Sequence, residues 1–358
     1  MQKVPLFVEL CAGTAALSLR LEKEGAKPPV SRMGAKTGYA DRILTLLGLD
    51  PGQGADHYLW CEPDPGVRLL LEAYRDAELA RAAAAIIRGW ADEEPRALWE
   101  RLRAEGPPRL PDEGAEAGEV ARLCTIMRWA YANVPIGHNG KHYTIPANGP
   151  DAPLTFGANN FGNTETTANG LDRLPSIPAT IAPDAREVDP REVARWAILR
   201  VRTMPQSQPG NPGDFLPMVA PSGTTRYQPD TPASGLSCMP TLPATIAPDA
   251  RAVDPGPSLP PGTIAYMDPP YANTTGYAND LGREEVVALA RRWAAAGAIV
   301  CISEAEPIPE LVEEGWHAVE ITDNRKGQKR TFSKQQKEWL TMNQPPTYGT
   351  GPVFDMFG

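Results

Sequence analysis

The chain has 358 residues, 42% of them hydrophobic, and a formal net charge of −9. That length exceeds a usual single domain and predicts a catalytic domain carrying an insertion or a smaller second module. No run of about 18 apolar residues is present to cross a bilayer, and the N-terminal MQKVPLFVEL lacks the apolar core and cleavage site of a signal peptide, so a soluble, unsecreted, cytoplasmic protein with no membrane partner is expected.

In chain order, Leu6-Phe7-Val8-Glu9-Leu10 is a short strand candidate, Ala12-Gly13-Thr14 a tight turn, and residues 15–24 a helix of good formers. Residues 57–61 predict a second strand, Glu62-Pro63-Asp64-Pro65 its turn, and residues 66–91 one long helix. This alternation points to an α/β fold with a largely parallel sheet. A helix-like run follows at 117–132. Residues 145–175, crowded with Asn, Gly, Thr and Pro, and residues 204–242, rich in Pro and Ser, read as loops. Between them, residues 191–202 pattern as an amphipathic helix with arginines on one side. The sequence Pro-Ala-Thr-Ile-Ala-Pro-Asp-Ala-Arg occurs at 178–186 and again at 243–251. Two copies are too few for a solenoid and read as a local duplication.

Regular patterning returns near the end. Residues 263–267 form a strand candidate running into Asp268, residues 283–296 a helix, and residues 298–302 a buried strand. A short helix near 308–314, a strand at 317–321 and a hairpin partner at 338–342 complete the pattern, with a mobile tail from Gln344. The five cysteines, Cys11, Cys61, Cys124, Cys238 and Cys301, form no CxxC pair and have no His at metal-ligand spacing. Reduced thiols and no metal centre are expected.

Asp268-Pro269-Pro270-Tyr271 stands just after a strand, where an open α/β sheet places its ligand crevice. Two prolines hold the backbone rigidly and end the strand. A carboxylate, a carbonyl and an aromatic ring in succession suit an exocyclic amine: the Asp268 carboxylate and Pro269 carbonyl accept its N–H groups, and Tyr271 stacks on its ring. No Pro-Cys pair provides the nucleophile that carbon methylation of cytosine needs; Cys238 precedes a proline in Cys238-Met239-Pro240.

These residues resemble the Dam-like DNA adenine N6-methyltransferases, whose signature is a DPPY tetrapeptide after the fourth strand. The similarity covers about 5–75 and 243–343, and its context is restriction–modification or phage. It implies a Rossmann-like methyltransferase sheet with S-adenosylmethionine as cofactor and DNA, with a flipped adenine, as partner. Asp268, Pro269 and Tyr271 then inherit the catalytic roles. Glu9, Ala12 and Gly13 resemble the cofactor turn, Glu62 the ribose-binding acid with Asp64 as rival, and Lys36 the lysine of a GGK-type segment. Asp249, in the second repeat copy, is the choice for the acid near the cofactor adenine, and Asp184 in the first copy is its alternative. Pro270, Thr275, Tyr277, Lys329 and Arg330 complete the substrate set, and Glu338–Asn343 resembles the family's closing strand.

The implied domains are 1–107 and 241–343 as two parts of a methyltransferase domain, 108–240 as an inserted target-recognition region, and 344–358 as a tail. Cytosine N4-methylation uses the same acceptor geometry, and a catalytically inactive partner subunit is the rival from another class. A net charge of −9 opposes contact with phosphates, yet residues 325–337 hold six cations and no acid, a local basic stretch.

Overall fold

The computed structural model describes residues 2–30, 35–106, 115–129, 164–195, 258–270, 281–321 and 338–347. At its centre lie β1 (Phe7–Glu9), β2 (Tyr58–Cys61), β3 (Ala179–Ala182), β4 (Ile264–Met267), β5 (Ile299–Glu304), β6 (His317–Glu320) and β7 (Trp339–Met342). They form one sheet in the order β3-β2-β1-β4-β5-β7-β6. Every pairing is parallel except the two made by β7, which runs antiparallel to both β5 and β6. The first five positions share the 3-2-1-4-5 order of doubly wound dinucleotide-binding sheets, with the reversal falling between β1 and β4.

The central strands β1, β2, β4 and β5 are buried on both faces, as a parallel sheet requires. Phe7, Tyr58, Trp60, Tyr266, Cys301 and Leu340 contribute to one core, which they share with α1 (Ala16–Glu22), α2 (Ala40–Leu46), α3 (Pro65–Arg75), α4 (Ala77–Gly89), α6 (Ala117–Trp129) and α7 (Thr164–Asp172). Val8, Leu59, Ala265, Met267, Val300 and Ile302 face the other core, covered by α8 (Arg283–Ala295) and α9 (Pro309–Glu313). A smaller cluster joins α5 (Pro95–Ala104) to α6 through Leu98, Trp99, Leu102 and Ile126. Among the described residues no helix is long and apolar enough to cross a membrane.

Several expectations are corrected. The long helix over 66–91 is two helices, because Asp76 takes an extended backbone and its Oδ1 accepts from the amides of Glu78 and Leu79, capping α4. The 145–175 stretch, read as loop, contains α7. The first repeat copy supplies β3, paired with β2 from Tyr58↔Ala179 to Cys61↔Ala182. Asp184 therefore follows the third strand, the place assigned to Asp249; the second copy lies outside the described residues. Within 108–240, Leu123, Met127, Ala168, Leu171 and Ala179 are part of the first core. Finally, the closing strand is more than a hairpin partner: β7 is wedged between β5 and β6.

The packing of α7 can be tested at Gly170, where an added Cβ would meet Pro29 Cα at 2.8 Å and Pro29 Cβ at 2.9 Å. Backbone contact that close cannot relax cheaply, so Gly170→Ala should destabilise the whole domain by roughly 1–3 kcal/mol in urea unfolding. An unchanged midpoint would mean that α7 is not part of the cooperative core.

Candidate functional site

The chain leaves β1 through a turn tied to both neighbouring strands. The Leu10 amide donates to the Tyr266 carbonyl (2.9 Å) and the Ala12 amide to that of Cys61 (2.9 Å). Gly13 has φ +50°, and among the described residues no atom lies within 4 Å of the position its Cβ would take. Ala15 is also left-handed, at φ 45°, a conformation costing an L-residue about 1–2 kcal/mol. The turn thus keeps a two-residue left-handed geometry although only one of the two positions is glycine. This turn lies at the switch point of the sheet, where an open α/β sheet places its crevice.

Glu62, just after β2, closes this turn from the side. Its Oε2 accepts from the Gly13 amide at 2.8 Å and its Oε1 from the Asp64 amide at 2.9 Å. A carboxylate's two oxygens are of the kind that hydroxyl donors bond to. Asp64 is committed elsewhere: its Oδ1 caps α3 by accepting from the amides of Gly66 and Val67. Of the two acids weighed for one role, Glu62 is the one joined to the glycine turn.

Glu9, the last residue of β1, lies beneath the crevice and is only 2% exposed. Its Oε1 accepts from the Ser18 amide (2.9 Å) and from the Ser18 hydroxyl (2.5 Å). Trp60 Nε1 in turn donates to Ser18 Oγ at 2.9 Å. Burial pushes the Glu9 carboxyl up to about 7, against the lowering effect of the Ser18 bonds, with Asp268 adding like-charge repulsion.

Asp268 stands one residue beyond β4. Its Oδ1 meets Lys36 Nζ at 2.7 Å and accepts from Ser303 Oγ at 3.1 Å. Burial raises its pKa, and the Lys36 ammonium and the Ser303 hydroxyl pull it back. Lys36, on a 3₁₀ turn at Lys36–Gly38, is 4% exposed and also lies 3.5 Å from Glu338 Oε1. The Asp268 side chain retains 19% exposure, and among the described residues its Oδ2 has no donor. Pro269 is buried and Pro270 half-buried. Cys11 stands beside Asp268, its thiol raised chiefly by burial, which leaves it a poor nucleophile.

The structure therefore brings Glu9, Ala12, Gly13, Lys36, Glu62, Asp268 and Pro269 to the C-terminal edge of β1, β2 and β4. Lys36 reaches the Asp268 carboxylate, a contact that the sequence reading did not anticipate. Asp184 lies after β3, with Arg186 holding its carboxyl below the usual range. Tyr271, Thr275, Tyr277, Lys329, Arg330 and Asp249 lie outside the described residues. Sequence reasoning missed Ser303, Tyr266 and Glu304. Glu304, buried at the end of β5, has a carboxyl that burial pushes up to about 7. A polar pair closing the apolar run of β5 was the available signal. Among the described residues no group of three His, Cys, Asp or Glu side chains could hold a metal ion. No protein-family model matches the chain, and no curated protein matches it either.

The raised Glu9 pKa has a definite sign for stability. Below about 4.5 the group is neutral folded and unfolded; between 4.5 and about 7 the unfolded chain ionises first, so stability falls as pH rises. Glu9→Gln removes that loss while keeping an acceptor for Ser18. The stability of the variant relative to the parent should increase by roughly 1–3 kcal/mol between pH 4 and pH 8 in denaturant titrations. A pH-independent difference would contradict the burial of an ionisable Glu9.

Proposed function

We propose that the chain is an S-adenosylmethionine-dependent methyltransferase acting on the exocyclic N6 amine of adenine in DNA. The observation that carries this reading is Asp268: a half-buried carboxylate with one oxygen held and the other without a donor among the described residues, followed by a proline carbonyl. It stands one strand away from a glycine turn with open space above it.

The residues around that turn fit the cofactor. The left-handed Gly13 with nothing over its Cβ position admits a ligand close to the backbone. Glu62, joined to the Gly13 amide, presents the pair of carboxylate oxygens that a vicinal diol bonds to. Glu9 lies beneath the turn, where its charge favours an ammonium group and its Ser18 bonds hold it in place. When bound, S-adenosylmethionine supplies an electrophilic methyl group.

This chain's own residues do the rest by binding and orientation. The Asp268 carboxylate and the Pro269 carbonyl accept the two N–H groups of the amine, which leaves its lone pair directed away from both. The Lys36 ammonium at 2.7 Å keeps Asp268 an acceptor despite its burial. Tyr271 stacks on the extruded base, an interaction typically worth about 1–3 kcal/mol against an unstacking cost of a few kcal/mol. No covalent enzyme intermediate is required. The DNA-reading role stays with 108–240, and the basic stretch 325–337 offers its cations to the phosphates.

The test is mass spectrometry of nucleosides from DNA incubated with the protein and methyl-labelled cofactor. Labelled N6-methyladenine is expected, falling by about 10²-fold or more in Asp268→Ala while cofactor affinity stays near that of the parent. Labelled N4-methylcytosine would redirect the target base. A chain that labels no nucleoside, or an Asp268→Ala variant of parental rate, would overturn the reading.

A further inference from the structure

Two acids at the crevice are held by the same device. On β1 and β2, the Trp60 indole N–H donates to Ser18 Oγ, and Ser18 donates to Glu9. On β4 and β5, Tyr266 OH lies 2.7 Å from Ser303 Oγ, and Ser303 donates to Asp268 Oδ1. Each is an aromatic donor, a serine and a carboxylate in series on one face of the sheet. The direction of the second chain follows from counting protons. A serine hydroxyl has one proton, and that of Ser303 goes to Asp268, so Tyr266 must donate to Ser303.

Register explains why Ser303 can do this. Met267 pairs with Ile302, so the next residues, Asp268 and Ser303, stand opposite each other on adjacent strands. Ser303 is 0% exposed and Tyr266 1%, so the hydroxyls have little access to water as a substitute. With Lys36 on the same oxygen, Oδ1 is held by two donors.

We infer that Ser303, oriented by Tyr266, is a positioning residue that fixes the Asp268 carboxylate through Oδ1 and reserves Oδ2 for the substrate amine. The consequence for catalysis rests on the methyltransferase reading above; the relay itself does not. The other charged or titratable groups acting on Asp268 are Lys36 from the 3₁₀ turn, Glu9 and Cys11 from the end of β1, and Glu304 from β5, with Glu338 beside Lys36.

The experiment uses the full chain in five forms: parent, Ser303→Ala, Ser303→Thr, Tyr266→Phe and the Tyr266→Phe/Ser303→Ala double variant. Two readouts are taken. The Asp268 carboxyl is followed by carbon-13 resonance against pH, assigned by its absence in Asp268→Asn, and methyl transfer is measured as kcat and KM for DNA. The relay predicts that the titration midpoint of Asp268 rises in Ser303→Ala, since a donor to the charged form is lost. It further predicts that kcat falls about 10- to 100-fold with KM for DNA little changed. Ser303→Thr, which keeps the hydroxyl, should restore both. Tyr266→Phe should give a smaller loss, and the double variant should be no slower than Ser303→Ala, because Tyr266 acts through Ser303.

An unchanged Asp268 midpoint in Ser303→Ala overturns the relay, as do additive losses in the double variant. A midpoint that shifts as expected in a parent protein that methylates no base supports the relay and overturns the methyltransferase reading instead.

Discussion

β1 is hydrogen-bonded to β2 along one edge and to β4 along the other, and it passes Glu9, Cys11 and Gly13 into the space between the connections that leave those edges. The helices following β1 and β2 pack on one face of the sheet, and α8, following β4, packs on the other. The connections therefore part at the carboxyl ends of β1 and β4, and a crevice is the geometrical result. Gly13 and Asp268 face this crevice from adjacent strands although they are distant in sequence. The left-handed turn, the Glu62 bracket and the Asp268–Lys36 pair all depend on that division.

Bringing Glu9, Glu62 and Asp268 together in a largely buried place is costly, because each ionised carboxylate loses water and repels the others. The fold offsets this in different ways. Glu62 receives two backbone amides. Glu9 receives the amide and hydroxyl of one serine and has a pKa pushed up to about 7. Asp268 is paired with a buried cation, Lys36. An acid that must remain an acceptor is the one that gains most from an ammonium partner, whereas a supporting acid can be neutral for part of the time.

The elements legible in the sequence were those with an unbroken apolar run and a clear stop. β1, β2, β4 and β5 stand within a residue or two of their expected positions, and Asp268 could be read from two prolines ending a buried strand. β3 escaped because Ala179–Ala182 is an edge strand with one buried residue, and its pattern resembles a turn. α7, TETTANGLD, has weak helix formers and a glycine, and it is held by packing against α4 and Pro29. The break at Asp76 was hidden because the apolar periodicity continues through it. Lys36 shows a different limit: it pairs with a residue 232 positions away by chain number, and no local pattern encodes that contact. The first copy of the duplicated segment enters the sheet as β3 through tertiary pairing with β2, which its local sequence does not encode.

In the proposed methyltransferase, cofactor and amine meet in the crevice between Gly13 and Asp268. A crystal structure of the protein grown with S-adenosylhomocysteine tests this most directly. The account predicts a ligand lying against the Gly13 turn, its ribose hydroxyls on Glu62 and its sulfur turned toward Asp268. A ligand bound at another part of the sheet, or with its ribose away from Glu62, would contradict it.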